Sequence, residues 1–436
     1  MLNATGLVAQ IEECGASKVV LALSGGVDSM VLLELLQQAR RLSNFQLQAV
    51  YINHGLSDDA QRWSEHCERA CSRRDIAFFS QSIKLNNTAN IEEAAREGRY
   101  QALAAFVDSA STVLMTGHHA DDQLETLLLA LKRGAGGTGL SGMARQRPFA
   151  NGQLLRPLLR YSRQQIVGFA TLHQLQWVED SSNNDNRFDR NYIRNVISPL
   201  LTGRWPAFTD TTVRSMQHLA QQQQLLSYYT RQALTHCSKD NQLDVMALQQ
   251  YVPLQQDLVI RDWLAQAQLN PSLQWLQTLK QQVISARQDA TPQLVLGQFV
   301  VCRYQRTLYL EKLSYLEQLS STAAMNCRLQ WDMQTSLALP ETLGTLSVHS
   351  DAAPGRLPMK RADVTVVFGQ LSLPFKPAEA AQHKPLKQWF KLWQLPPWQR
   401  TTIPLLLQHN KLVTVAGFAS ALSTTQADCW LDWSQS

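Results

Sequence analysis

Residues 24–29 read SGGVDS and lie between the apolar run KVVLAL and the leucine-rich stretch MVLLELLQQAR. Two glycines, two hydroxyls and a carboxylate at a strand-to-helix junction are suited to binding an anion. A helix that begins near Asp28 leaves its first backbone N–H groups without partners, and they point at one place. Gly25 and Gly26 carry no Cβ, so a phosphate can approach the backbone just before Val27, while Ser24 and Ser29 add hydroxyl donors. The helix end supplies only about half an elementary charge, a small fraction of what a nucleoside triphosphate carries. A divalent cation such as Mg²⁺ is therefore expected, with Asp28 as the metal-holding carboxylate. The alternative is a plain turn in which Ser24 or Asp28 caps the helix.

The chain around this loop has 436 residues, enough for two or three domains. With 44% hydrophobic and 17% charged residues it is a folding chain rather than a disordered one. No apolar run approaches the roughly 20 residues of a membrane span, and the first residues lack a signal-peptide pattern, so a cytoplasmic protein without a membrane partner is expected. The seven cysteines are odd in number and scattered, which argues against a disulfide framework. Cys67 and Cys71 lie four apart on a helical pattern and read as small buried residues rather than metal ligands. A formal charge of +5 permits a polyanionic partner without demanding one.

Apolar runs at 18–23, 47–52, 76–83 and 112–115 alternate with amphipathic helical patterns. Such alternation predicts parallel βαβ units and a doubly wound α/β sheet. Folds of this class bind ligands at the carboxyl ends of their strands. The polar clusters SGGVDS, NHGLSDD and TGHHADDQ all fall there. Past residue 206 the chain turns Gln-rich with helical spacing, which predicts an all-helical stretch to about residue 286, followed by two strands from residue 293. A polar linker at 313–326 then leads to a small β-rich part holding one helix at 384–394. The predicted domains are 1–208, 209–315 and 328–436.

SGGVDS fits neither the GxxxxGK[ST] nor the GxGxxG phosphate motif. It resembles the SGGxDS pyrophosphate loop (PP-loop) of the ATP-pyrophosphatase superfamily, whose members cleave ATP between the α and β phosphates and adenylate an acceptor. Within that superfamily the chain is similar to the tRNA(Ile)-lysidine synthetases along most of its length. The matching stretches are YINHGLS, IEEAAREGRYQAL, TGHHADDQLETLLLALKRGAGGTGLSGM, LLRPLL, the pair VED and RNYIR, and KPLKQWFKLWQLPPWQRTTIPLL. The resemblance implies an α/β domain with helical and β-rich C-terminal parts, and a homodimer. It also implies an activity: ATP adenylates the C2 oxygen of the wobble cytidine in the CAU-anticodon isoleucine tRNA, and the ε-amine of free L-lysine then displaces AMP.

The residues suit that chemistry. A lysine amine with a pKa near 10.4 costs about 4.6 kcal/mol to deprotonate at neutral pH, so a carboxylate that accepts its proton is useful. Asp122 and Glu125, three apart at a helix start, share one face, and Asp121 precedes them. They can clamp the ammonium group, one of them acting as base; helix capping is the other reading. Of His118 and His119, one reads as a ligand or cap contact and the other as packing, with His119 taken into the substrate site. Charge on the leaving pyrophosphate asks for a guanidinium. By resemblance Arg99 and Arg194 are assigned there, with Arg187 and Arg190 either helping or forming a solvated basic face. Asn53 and His54 are carried over as nucleotide contacts.

For the RNA, Lys384, Lys387, Lys391 and Arg400 fall in a segment with a single acidic residue, Glu379, between Lys376 and Lys411. The lysine spacing of three and four puts a basic stripe beside an apolar one, a pattern fit for phosphate contacts or for an ordinary surface helix. By resemblance it faces the tRNA acceptor arm. Three rival readings are a tRNA thiolase, which needs CxxC cysteines that this chain lacks, a non-catalytic nucleotide-sensing RNA-binding protein, which leaves HHADDQLET without a task, and a metal-dependent phosphohydrolase built on HHADD, which leaves the glycine loop unexplained.

Overall fold

The computed structural model describes residues 2–53, 55, 59–83, 91–287, 290–320, 327–340 and 343–434. The chain divides into two compact units, Met1–Ser227 and Tyr228–Ser436. Among the described residues no helix is long and apolar enough to cross a membrane.

The first unit is built on six strands: β1 (Lys18–Ala22), β2 (Gln46–Asn53), β3 (Ala77–Ser82), β4 (Thr112–Met115), β5 (Gln146–Phe149) and β6 (Gly152–Leu155). Their order is β3-β2-β1-β4-β6-β5. Strands β1 to β4 and β6 run parallel, as the alternating pattern predicts, and β5 closes the edge as an antiparallel hairpin with β6. That hairpin was not legible in the sequence, because QRPF carries only one apolar side chain. β1 reads as one apolar run because both of its faces are covered. Val19 and Leu21 pack into one core layer with helices α1 (Ala4–Glu13) and α2 (Val27–Ala39), while Val20 packs into the opposite layer with Val50, Leu103 and Leu114. Each such valine or leucine stabilises the fold by about 1.5–3 kcal/mol. Further helices of this unit are α3 (Ala60–Ser72), α4 (Ile91–Ala104), α5 (Ala120–Lys132), α6 (Gly137–Leu140) and α7 (Arg163–Leu172).

Chain order reverses between β1 and β4, so the loops that leave these two neighbours diverge to opposite faces and open a crevice between them. The loop after β1 is SGGVDS; the loop after β4 is TGHH. The fold thus sets the two polar clusters side by side.

The Gln-rich chain is helical at Phe208–Cys237, whose last residues from Tyr228 on belong to the second unit, and at Pro253–Ala265 and Leu273–Thr278, around a core that includes Trp263, Ile260, Leu276 and Leu279. These helices share that core with a five-stranded antiparallel sheet instead of standing alone. Three strands, Gln293–Leu296, Phe299–Tyr304 and Thr307–Lys312, stand where two were expected. A further hairpin, Ser238–Lys239 with Gln242–Asp244, turns on Asp240 and Asn241, both with positive φ. Its strands are too short to leave a period-two signal. The expected polar linker begins as a helix, Leu313–Ser320, and its residues 321–326 lie outside the described residues. The β-rich part holds a five-stranded and a four-stranded antiparallel sheet, and its helix is shorter than expected, Leu386–Leu392.

Candidate active site at the sheet's switch point

The backbone of the first loop explains its two glycines differently. Gly25 has φ +84, and a Cβ there would lie 2.9 Å from Val178 Cγ2 and 3.2 Å from Cys67 Sγ, so the fold itself requires glycine. The Val178 N–H donates to the Gly25 carbonyl at 3.0 Å and fixes the turn. Gly26 is the N-cap of α2 with φ −70 and ψ 160, an ordinary conformation for any residue. A Cβ there would meet only Ser24 Oγ, at 3.7 Å. The fold leaves this position open, on the side where the Ser24 hydroxyl lies. Ser29 is buried; its Oγ donates to the Gly26 carbonyl at 3.0 Å and accepts from the Ser24 N–H at 3.2 Å. Val27 is buried beneath the loop.

Gly117, in the loop after β4, lets that loop touch the start of α2. A Cβ there would lie 3.1 Å from both the Asp28 carbonyl carbon and the Ser29 nitrogen. The close approach delivers His119, the buried N-cap of α5, to Asp28. His119 Nε2 is 3.6 Å from both Asp28 Oδ1 and Asp122 Oδ2, and its Nδ1 is 3.6 Å from Asp121 Oδ2. Burial alone would lower the His119 pKa, but the carboxylates of Asp122, Asp121 and Asp28 outweigh it and hold the ring above the ordinary histidine range. His118 has the opposite fate: desolvation carries it down to about 3, and its Nδ1 pairs with Thr116 Oγ1 at 2.8 Å.

Asp122 is buried, and its Oδ2 accepts the His119 backbone N–H at 2.9 Å. Desolvation would raise its pKa; His119, then His118 and Arg190, overcome that and bring it down to about 2. One helical turn on, Glu125 is 1% exposed and accepts from Arg190 Nε at 2.7 Å and from Arg194 Nε at 2.6 Å. Both guanidiniums also donate to Asp122 Oδ1 at 3.2 Å. The arginines come from the helix Asp189–Tyr192 and the π-helical turn Ile193–Ile197. The spacing of four in RNYIR puts both on one face, which matches the spacing of three between Asp122 and Glu125.

Three stretches of the chain match known protein families. The PP-loop domain matches residues 3–201, the TilS substrate binding domain residues 243–309, and the TilS substrate C-terminal domain residues 364–433. A tRNA(Ile)-lysidine synthase of Serratia proteamaculans is 39% identical over 95% of this chain and 95% of its own. The chain belongs to the tRNA(Ile)-lysidine synthase family. Two further family members are similar along their whole length: that of Haemophilus influenzae is 36% identical over 95% of this chain and 98% of its own, and that of Vibrio cholerae 38% over 98% and 97%. The family's PP-loop domain is an ATP-using one, as the resemblance implied.

Of the residues expected in the family's site, Ser24, Gly25, Gly26, Asp28, Ser29, His119, Asp121, Asp122, Glu125 and Arg194 are brought together. Asn53 ends β2, with its Oδ1 accepting from the Gly55 N–H at 2.8 Å, and His54 lies outside the described residues. Arg99 is exposed on α4; protein crowding pulls its pKa below the ordinary arginine value, and Arg96 and Arg190 add to the effect while Tyr100 opposes it. Arg187 is exposed and pairs locally with Asp185 at 2.6 Å, whereas Arg190 is a member of the cluster. Arg163 was missed: its Nη1 lies 3.3 Å from Asp28 Oδ2. The signal for it was SRQQ, a capping-box pattern at the carboxyl end of the sheet, and Ser162 and Gln165 do cap α7 reciprocally.

Asp28 Oδ1 is buried without a hydrogen-bond partner and has the His119 ring 3.6 Å away, so a cation can still be bonded there. Among the described residues no three His, Cys, Asp or Glu side chains are grouped to hold a metal by themselves. One carboxylate beside a phosphate loop suits Mg²⁺, which keeps its waters and shares its ligands with phosphates. Cys67 and Cys71 are buried, and desolvation pushes both thiols up to about 12, so neither is a nucleophile.

In the second unit the expected basic stripe is partly dispersed. Lys387 and Lys391 are exposed on the helix Leu386–Leu392. Lys384 precedes that helix and sits over the Trp389 ring at 5.2 Å. Arg400 does not join them. It is 6% exposed and donates to the Leu395 carbonyl at 2.9 Å and to Tyr304 Oη at 2.8 Å, which spends it on internal packing.

Proposed function

We infer that the protein is an ATP-dependent tRNA(Ile)-lysidine synthase: it joins L-lysine to the wobble cytidine of the CAU-anticodon tRNA(Ile), with release of pyrophosphate and AMP. The observation that carries this reading is the contact of Gly117 with the start of α2, which places a phosphate loop and an acidic cluster in one crevice. Adenylation needs the first and amine transfer needs the second.

The residues divide as follows. The N–H groups at Gly26, Val27 and Asp28, with the Ser24 hydroxyl, hold the β and γ phosphates. Asp28 holds Mg²⁺, which when bound offsets phosphate charge. Asn53 and His54 meet the nucleotide, and Arg99 and Arg194 meet the charge that builds at the α-phosphorus as the cytosine C2 oxygen attacks. In the free protein Arg194 is shared by Asp122 and Glu125. Its turn toward phosphate opens those carboxylates to the lysine ammonium, with Asp121 and His119 alongside. Either carboxylate can take the proton as the amine bonds to C2 and AMP leaves.

Residues 209–315 and 328–436 serve as tRNA-binding domains, with Lys387 and Lys391 on phosphates. Lysine as the amine donor, a homodimer and a cytoplasmic place complete the reading. The buried, high-pKa thiols weigh against a thiolase, and the acidic cluster weighs against a non-catalytic nucleotide sensor.

Purified protein is expected to transfer radiolabelled lysine to CAU-anticodon tRNA, with AMP and pyrophosphate formed only when ATP, tRNA and lysine are all present. Absence of label on the tRNA sinks the assignment. Glu125→Gln is expected to slow lysine transfer more than adenylation; equal loss in both steps removes lysine binding from Glu125.

A further inference from the structure

We propose that Arg163 is a phosphate-binding residue of the nucleotide site, contacting the β and γ phosphates held by the loop at residues 24–29. The proposal rests on the reading that this loop holds ATP. Its own support is positional. Arg163 is the first residue of α7, and its backbone is fixed at both ends of a short span. Its N–H donates to Asp121 Oδ2 at 2.7 Å, while Ser162 and Gln165 exchange capping bonds of 2.9 and 3.3 Å around it. The guanidinium reaches from there to the start of α2, 3.3 Å from Asp28 Oδ2. Its side chain is nevertheless 46% exposed, so the group faces the open crevice rather than the core.

Asp28 lies in the first turn of α2, beside the N–H groups that an anion would meet. A cation in contact with that carboxylate is therefore within a side chain's reach of the anion as well. The guanidiniums of Arg190 and Arg194, by contrast, are bonded to Glu125 and Asp122 in the free protein. When Asp28 takes a metal ion, Arg163 gives up its carboxylate partner and keeps its forked donors. A phosphate on the loop is the group those donors match. The loop backbone alone offers about half an elementary charge to a polyphosphate, so a fixed guanidinium there supplies what the helix end lacks.

The test is equilibrium binding of ATP, AMP and inorganic pyrophosphate to the full chain, with and without Mg²⁺, for wild type and Arg163→Gln. ATP and pyrophosphate are expected to bind at least about tenfold more weakly to the variant, the loss of a charge-assisted hydrogen bond, and AMP within about twofold of wild type. ATP affinity within about twofold of wild type overturns the proposal, as does an equal loss for AMP. A double variant, Asp28→Asn with Arg163→Gln, separates phosphate binding from mere neutralisation of Asp28. If it regains wild-type ATP affinity in the absence of Mg²⁺, Arg163 only balances charge and the proposal fails. Arg163→Met, which keeps the packed stem, is read by the same ratio if the glutamine variant does not fold. Failure of the wild-type protein to bind ATP at all is a different result, and it refutes the reading of the loop itself.

Discussion

Gly25 and Gly26 are adjacent, yet the structure assigns them unlike tasks, and alanine at each position separates the fold from the phosphate site. At Gly25, alanine must adopt φ +84 and place its methyl 2.9 Å from Val178 Cγ2 and 3.2 Å from Cys67 Sγ. The left-handed backbone costs about 1–2 kcal/mol and the overlap in a packed interior about 1–3 more. With a total of about 2–5 kcal/mol, a domain of this size melts roughly 5–20 °C lower. At Gly26, alanine fits φ −70 and meets only a hydroxyl at 3.7 Å. Exchanging glycine for alanine at an N-cap costs under about 1 kcal/mol, so melting shifts by no more than about 3 °C. On the proposed function the new methyl would instead occupy the space through which a phosphate oxygen reaches the N–H groups. Loss of two charge-assisted hydrogen bonds of about 1.5 kcal/mol each weakens ATP about a hundredfold. Differential scanning fluorimetry and equilibrium binding of ATP measure the two effects on the same samples. Wild-type ATP affinity in Gly26→Ala refutes the placement of the phosphate; a large loss of stability there refutes the reading of the glycine itself.

Three further outcomes are expected. Because the Asp122 carboxyl is held at about 2, against an ordinary value of 3.8, its contribution is complete above pH 4 and disappears as pH falls through about 2. Urea unfolding of wild type and Asp122→Asn at a series of pH values should therefore converge on the acid side by about 2 kcal/mol, and parallel curves contradict the shift. A double-mutant cycle on Glu125→Gln and Arg194→Gln should give a coupling of about 2 kcal/mol, since Glu125 is buried and bonded while Arg194 keeps partial contact with water. A coupling under about 0.5 kcal/mol means that the pair is incidental. Lys387→Ala and Lys391→Ala should each reduce the slope of log K against log salt for tRNA binding by about one, and an unchanged slope removes that lysine from the phosphate contacts.

What the sequence disclosed and what it hid follow from how local each constraint is. SGGVDS could be read because the strand, the turn and the helix cap are set by neighbours within six residues. Asp122 and Glu125 could be paired from their spacing, since helix geometry alone puts them on one face. Arg163 meets Asp28 across 135 positions, and no local period announces that. Arg400 went the other way: it belongs to a basic run by composition, but its partner is Tyr304, 96 positions earlier, and the guanidinium is buried where the run suggested exposure. Lys384 fell out of the stripe because the helix begins only at Leu386, after a proline that cannot donate to a helix interior. Spacing identifies a face only where the element is continuous.

The charges in the crevice come in matched sets. Asp28, Asp121, Asp122 and Glu125 stand against Arg163, Arg190, Arg194 and a His119 held toward its protonated form. A site so balanced offers a polyphosphate little beyond the helix N-terminus until ion-pair partners exchange. Asp28 is the natural point of entry, because its Oδ1 is buried without a hydrogen bond and its Oδ2 is held by the half-exposed Arg163. A metal ion held there would free Arg163 for phosphate. The phosphates in turn compete for Arg194, whose field already reaches Asp28. Each guanidinium drawn toward phosphate would leave a carboxylate of the Asp122 and Glu125 pair short of a cation, and on the proposed function the lysine ammonium would take that place. On the proposed function, the same ion pairs that hold the free protein together would impose an order on it, with nucleotide before amine. The order has a direct check: lysine affinity should rise in the presence of ATP and Mg²⁺, and equal affinity with and without them would show that the pairs do not exchange.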